Sequence, residues 1–283
     1  MKTAYVVLGM HRSGTSSVAG TLSLLGASAP RNLMGPKPDN PSGFWESEKI
    51  AEFNDEIFHA AGSSWLDWGP LDPAVFEGPH GAHIHGAARW LLGSEFRGAE
   101  TIVLKDPRIC RLYPFWRSAL EDQGYRPLVI SPIRSPDEVA ASLFFRDRIR
   151  RPLALKLWLH HVLEAERTSR GQARHFMIWP DFIADWRGQV ARMAETFERP
   201  SLIASIDGAA VDAFLNPDLH RQKLNAETDA ASEYTPDLIP RAYAALSDLA
   251  IEGESAKSHK ALDRVRDDLR EAMRFFYDGP GPI

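Results

Sequence analysis

The residues best equipped for chemistry lie near the N-terminus, in Gly9 to Ser17, which reads G-M-H-R-S-G-T-S-S. Gly9 and Gly14 let the backbone curl, Ser13, Thr15, Ser16 and Ser17 supply hydroxyls, and His11 and Arg12 add a titratable and a cationic group. In such a loop consecutive backbone N–H groups can point at one anion, and a helix that starts there adds about half a positive charge. The pattern predicts a phosphate-binding loop. Chemistry-bearing groups recur at three later places. Glu46 closes the stretch G-F-W-E, Lys105, Asp106 and Arg108 stand in K-D-P-R, and Arg134 opens R-S-P-D-E-V-A-A-S, which ends on Ser142.

These groups fall at junctions between predicted elements. The apolar run Ala4 to Leu8 reads as a strand, and Val18, Leu22 and Leu25, at i, i+4 and i+7, read as the helix after the loop. Thr101 to Leu104 and Pro127 to Ile133 read as further strands, with Pro107 and Pro136 each placed to begin a helix. Ser135 as cap and Glu138 three residues on predict a capping box, which leaves Arg134 at the strand end. Phe176 to Trp179 reads as a fourth strand, followed by one helix with Phe182, Trp186, Val190, Met193 and Phe197 on a single face. Strands alternating with helices predict an α/β fold, a parallel sheet with helices on both faces. Ligands of such sheets gather at the carboxyl ends of the strands, where Lys105, Asp106, Arg108 and Arg134 are expected.

Arg31 to Phe44 carries three prolines, two glycines and two asparagines and reads as a long loop, of a length that is often functional. A helix capped by Ser47 follows it, with Ile50, Phe53 and Ile57 on one face. Glu46, beside that helix start, reads equally as a dipole partner or as a catalytic carboxylate. Pro79 to His85 holds three histidines, a weak metal-ligand pattern, and Gly81 and Gly86 predict a turn there. Pro152 to Thr168 reads as a helix in which His160 and His161 are surface or packing groups.

The loop matches the G-x-x-x-x-G part of the ATP and GTP P-loop but has Thr15 where those loops have lysine, and its cation is Arg12. R-S-G-T after a first strand resembles the 5′-phosphosulfate loop of the sulfotransferases, which bind 3′-phosphoadenosine 5′-phosphosulfate (PAPS). An arginine at a strand end followed by a serine on the next helix, here Arg134 and Ser142, resembles their site for the PAPS 3′-phosphate. The resemblance extends over residues 1–222 and implies a P-loop-type parallel sheet. It implies that Arg12, Ser13, Gly14, Thr15, Ser16 and Ser17 hold the phosphosulfate and that Trp179 lies against the adenine, although Pro180 replaces the acidic residue common there. F-L-N-P-D-L-H-R, Phe214 to Arg221, resembles a late segment of bacterial members and offers Arg221 to close over the 3′-phosphate.

The activity so implied is in-line transfer of a sulfuryl group to a hydroxyl or amine of a carbohydrate, lipid or small-molecule acceptor, with no metal required. Arg12 and Lys105 would stabilise charge, and Glu46 would be the general base. His11 and Asp106 compete for that role. His11 is crowded against the donor phosphate, and Asp106 is expected to pair with Lys105 or Arg108. Glu46 follows apolar Phe44 and Trp45, which would desolvate it and raise its basicity. A P-loop kinase or NTPase with a deviant loop is the alternative and would use Asp106 for magnesium. A donor-sensing module without turnover is a third reading.

Composition sets the remaining expectations. The 283 residues read as one sulfotransferase-like domain, an α/β core over 1–222 and a helical C-terminal extension over 223–283. Leu262, Val265, Leu269, Met273 and Phe276 mark a terminal amphipathic helix. With 33 Lys and Arg against 38 Asp and Glu, nothing favours nucleic acid as a partner. The single cysteine, Cys110, points to a reducing, cytoplasmic setting, and the apolar N-terminal run is too short for a signal peptide or a membrane span. Acceptor recognition is expected in variable loops, Arg31 to Trp45 and Trp65 to His85, and in the C-terminal helices.

Overall fold

The structure is a computed structural model that describes residues 2–37, 40, 43–200, 202, 208–215, 236–277 and 279. Among these residues four strands form one parallel sheet: β1 (Lys2–Val7), β2 (Thr101–Lys105), β3 (Tyr125–Ile133) and β4 (Arg174–Ile178), in the order β2-β1-β3-β4. The side-chain period of two explains how the sheet is covered. Ala4, Val6 and Leu8 face one core with Ile102, Leu104 and Val129, while Tyr5 and Val7 face the other with Val103, Leu128 and Ile130. Both faces are buried, as parallel strands with helical crossovers require.

The first face is covered by α2 (Glu48–Ala60), α3 (Gly78–Phe96) and α4 (Ile109–Asp122), through side chains such as Ile57, Leu91 and Leu112. The second is covered by α1 (Thr15–Leu24), α7 (Trp179–Ala184) and α8 (Trp186–Thr196), through Val18, Phe182 and Val190, with α9 (Gly208–Phe214) against α1. A third cluster joins α5 (Pro136–Asp147) and α6 (Arg151–Ser169) to α10 (Leu238–Glu252) and α11 (Ala256–Phe276). The predicted α/β class is thus the observed one, with helices on both faces and a helical C-terminal segment. Among the described residues no helix is long and apolar enough to cross a membrane.

Several local expectations are corrected. The capping box is not completed: Ser135 precedes α5 without a side-chain cap bond, and Glu138 accepts from Arg134 Nε at 2.8 Å. Pro79 to His85 is not a turn but the first part of α3, since Pro79 suits a helix start and the histidines occupy helical positions. The helix after β4 is two helices, broken at Asp185, whose side chain caps α8 by accepting from Gly188 N at 2.9 Å. Trp179 opens α7 rather than closing β4. Pro107 lies in a turn two residues ahead of α4, because Asp106 takes the Arg108 N–H there. Ser47 caps α2 as expected, accepting from Ile50 N at 3.2 Å.

The C-terminal helices are tied to β4 by charge. Glu166, buried on α6, accepts from Arg170 (2.8 Å), Arg174 (3.2 Å) and Arg266 (2.8 Å). Arg174 also pairs with Glu254 at 2.6 Å, and Arg170 and Arg266 pair with Asp263 at 3.0 and 2.6 Å. Burial alone would raise the Glu166 carboxyl, but the Arg170 hydrogen bond and the three guanidinium charges hold it below the usual range.

Candidate active site

After β1 the chain turns through residues 8–14 into α1, and two of those residues take left-handed backbone conformations, Arg12 (φ 68) and Gly14 (φ 85). Only glycine fits at 14, since a Cβ there would fall 2.0 Å from the Trp179 ring. Arg12 is held in its uncommon conformation from β3 and α5. Its carbonyl accepts from Arg134 Nη1 at 2.9 Å, and its Nε donates to Ser142 Oγ at 2.8 Å. Contacts on both its main chain and its side chain fix a geometry that costs roughly 1–3 kcal/mol when unsupported.

The loop opens on a cavity of about 180 Å³ at the carboxyl ends of the strands. Of the residues singled out in the sequence, Arg12, Gly14, Thr15, Ser16, Ser17, Glu46, Lys105, Arg134, Ser142 and Trp179 all line it, as does His11. Ser13 lies just behind, buried, and its Oγ has no hydrogen-bond partner among the described residues. Arg221 lies outside the described residues.

At one side of the cavity Lys105, on β2, donates from Nζ to Glu46 Oε1, to the Phe44 carbonyl at 3.0 Å and to Ser16 Oγ at 3.3 Å. Glu46 is 3% exposed. Burial pushes its carboxyl above the ordinary range, the Lys105 charge opposes that shift, and Asp106 adds to it. Glu46 therefore meets a lysine ammonium at the cavity rather than the end of α2, which Ser47 caps.

Of its two expected partners, Asp106 takes Arg108. Its carboxylate accepts from Arg108 N at 2.8 Å and Nη1 at 3.1 Å, and Arg108 Nε reaches Asp55 at 2.6 Å. Asp106 is fully buried and does not line the cavity. His11 is buried against Trp65, with ring centroids 4.7 Å apart, and its Nε2 has no hydrogen-bond partner among the described residues. Burial, then the charges of Arg108 and Arg146, push it well below the usual histidine value, so it is neutral at pH 7. His160 and His161 are buried packing groups.

Arg134 donates from Nε to Glu138 at 2.8 Å and lies over the Trp179 ring at 4.5 Å. Trp179, at 2% exposure, packs between this guanidinium and Gly14 and braces both anion-facing elements in the form seen here. Sequence reasoning passed over Phe145 and Arg146, which line the cavity beyond Ser142. The basic run from Arg146 to Arg151 was their available signal.

Fold and loop together define an α/β protein of P-loop type whose cradle is chemically suited to phosphate or sulfate. No family model matches the chain, and no curated protein matches it. Among solved structures it is similar to the sulfotransferase domain of the Synechococcus PCC 7002 olefin synthase, at 16% identity, with 99% of this chain and 98% of that chain covered and a TM-score of 0.41. So slight a likeness carries no function, and the chemistry is read from the residues themselves.

Proposed function

We propose that the protein transfers the sulfuryl group of PAPS to a hydroxyl or amine of an acceptor. The observation that carries this reading is the convergence, on one cavity, of the Arg12 loop, the Arg134 and Ser142 pair and the Lys105 and Glu46 pair. A donor phosphorylated at both its 3′ and 5′ positions needs two sets of anion partners, and the two sides of the cavity offer them. The fit has further support in the buried Ser13 Oγ and His11 Nε2, which have no protein partner among the described residues. The first amides of α1 likewise have no intrahelical acceptor.

In this mechanism the acceptor oxygen or nitrogen bonds to sulfur as its proton passes to Glu46. The bond from sulfur to the bridging oxygen breaks, and its electron pair leaves with adenosine 3′,5′-bisphosphate. Lys105 couples the two events. Once Glu46 takes the proton its charge is lost, and the Lys105 ammonium becomes fully available to the leaving oxygen beside Arg12. The kinase reading would need Asp106 for magnesium, and that carboxylate is committed to Arg108.

The test is thermal stability with adenosine 3′,5′-bisphosphate, adenosine 5′-phosphate, ATP and GTP. At ~100 times its dissociation constant a true ligand stabilises the fold by about 2.7 kcal/mol. Stabilisation by adenosine 3′,5′-bisphosphate without magnesium is expected. Stabilisation by ATP with magnesium alone would establish the kinase alternative.

A further inference from the structure

We infer that the acceptor is a neutral sugar, bound in the cleft between Asp55, His59 and the segment Ser63 to Trp68; this rests on the sulfuryl-transfer reading of the neighbouring cavity. The cleft has a volume of about 600 Å³, within the range of roughly 300–1,000 Å³ usual for small-molecule sites. Two contacts set it beside the cavity. Trp65 lines the cleft and packs on His11, which lines the cavity, and Asp55 lines the cleft and pairs with Arg108, the neighbour of cavity-lining Pro107.

The chemistry of its wall selects among acceptors. The indoles of Trp65 and Trp68, with Leu66 and Leu153, present apolar surface, and Ser64, His59 and Asp55 present hydrogen-bonding groups. Among the described residues no lysine or arginine lines the cleft, and the cations beside it are already engaged, Arg108 with Asp55, Arg111 with Asp67 and Lys156 with the Trp68 ring, so the wall holds no charge set aside for a phosphorylated or carboxylated acceptor. An amine gains little, because both carboxylates are already engaged. Asp67 accepts from Ser63 Oγ at 2.7 Å and Tyr277 OH at 2.9 Å, and Asp55 is paired with Arg108. An alkyl chain would leave the polar groups without partners. A pyranose ring meets each condition, with a C–H face for an indole and hydroxyls for the serine, histidine and carboxylate. Trp68 is fixed for that contact, edge-on to Tyr277 at 5.3 Å and beneath Lys156 at 4.6 Å.

Saturation-transfer NMR on the donor-free protein tests this without relying on turnover. The probes are the methyl glycosides of glucose, galactose, mannose and rhamnose, with glucose 6-phosphate, glucuronate and 1-octanol as competitors of other classes. Ring C–H signals from at least one neutral glycoside are expected, weakened roughly three- to tenfold in affinity by Trp68→Ala. The shift in melting temperature by adenosine 3′,5′-bisphosphate should be the same in that variant, which shows that it folds. The inference is overturned if all four neutral glycosides are silent, if an anionic sugar or octanol binds more tightly, or if Trp68→Ala leaves glycoside binding unaltered. Failure of adenosine 3′,5′-bisphosphate to bind, with glycosides still bound, would instead refute the donor assignment.

Discussion

Arg12 and Ser142 are 130 residues apart in the chain, and Arg12 Nε donates to Ser142 Oγ at 2.8 Å. One hydrogen bond thus joins the N-terminal loop to the helix that follows β3, and Arg134 reinforces the junction through the Arg12 carbonyl. The two sides of the cavity are therefore set by a shared contact, and a change on one side is felt on the other.

Arg134→Ala should weaken adenosine 3′,5′-bisphosphate far more than adenosine 5′-phosphate, since only the former has a 3′-phosphate for this guanidinium. Loss of a charge-assisted bond of ~1.5–3 kcal/mol corresponds to roughly ten- to a hundredfold in affinity. Ser142→Ala should act in the same direction but less strongly. Calorimetric titration decides, and equal weakening of both ligands would refute the assignment.

Arg12→Ala should lower turnover by ~10² to 10³, more than it raises the donor dissociation constant, because charge on the leaving oxygen grows toward the transition state. Single-turnover kinetics at saturating donor separates the two effects. Unchanged turnover with collapsed affinity would leave Arg12 a binding residue only.

Glu46→Gln should keep donor binding but lower turnover by ~10² to 10⁴. The pH profile supplies a second test. Burial raises the Glu46 carboxyl, so the active, ionised form appears only above the ordinary glutamate value of about 4.3, and the acid limb of the rate profile should lie above that value. The stability linked to this group is present below that ordinary value and lost as pH rises through the raised one. Glu46→Gln should remove both dependences, and full activity in that variant would return the role to Asp106 or His11.

Acid should weaken the fold through its buried histidines. Burial lowers His160 and His161 to about 3 and also lowers His11, so the unfolded chain takes up protons first. The stability from their neutral forms is full above the ordinary value of about 6.5 and is lost as pH falls through the lowered values. Melting temperature measured from pH 8 to pH 4 should fall below about 6.5, and His160→Gln with His161→Gln should flatten the decline. An unchanged slope would show that other groups govern it.

Much of the site could be read from the sequence because its groups sit at strand ends, where apolar runs, paired glycines and a following proline mark the turns. Gly14, Lys105 and Arg134 are examples. What stayed hidden is which of several available partners, near or far along the chain, a side chain takes. Nothing local shows that Asp106 would choose Arg108 while Lys105 turned to Glu46, that Glu138 would pair with Arg134, or that Trp65 would reach His11. The break at Asp185 was hidden for another reason, since the apolar spacing on either side of it continues one helical period.

The charge hub around Glu166 bears on the order in which the protein can be made. Three arginines there, Arg170, Arg174 and Arg266, are balanced by three carboxylates, of Glu166, Glu254 and Asp263, and half of these six residues lie beyond residue 250. Until residues 254–266 have been made, Arg170 and Arg174 have, of these three carboxylates, only Glu166 to share. The β4 edge of the sheet thus acquires its full complement of counter-charges only when the segment from Glu254 to Arg266 has packed against it, so this edge is among the last parts of the fold to be balanced in charge.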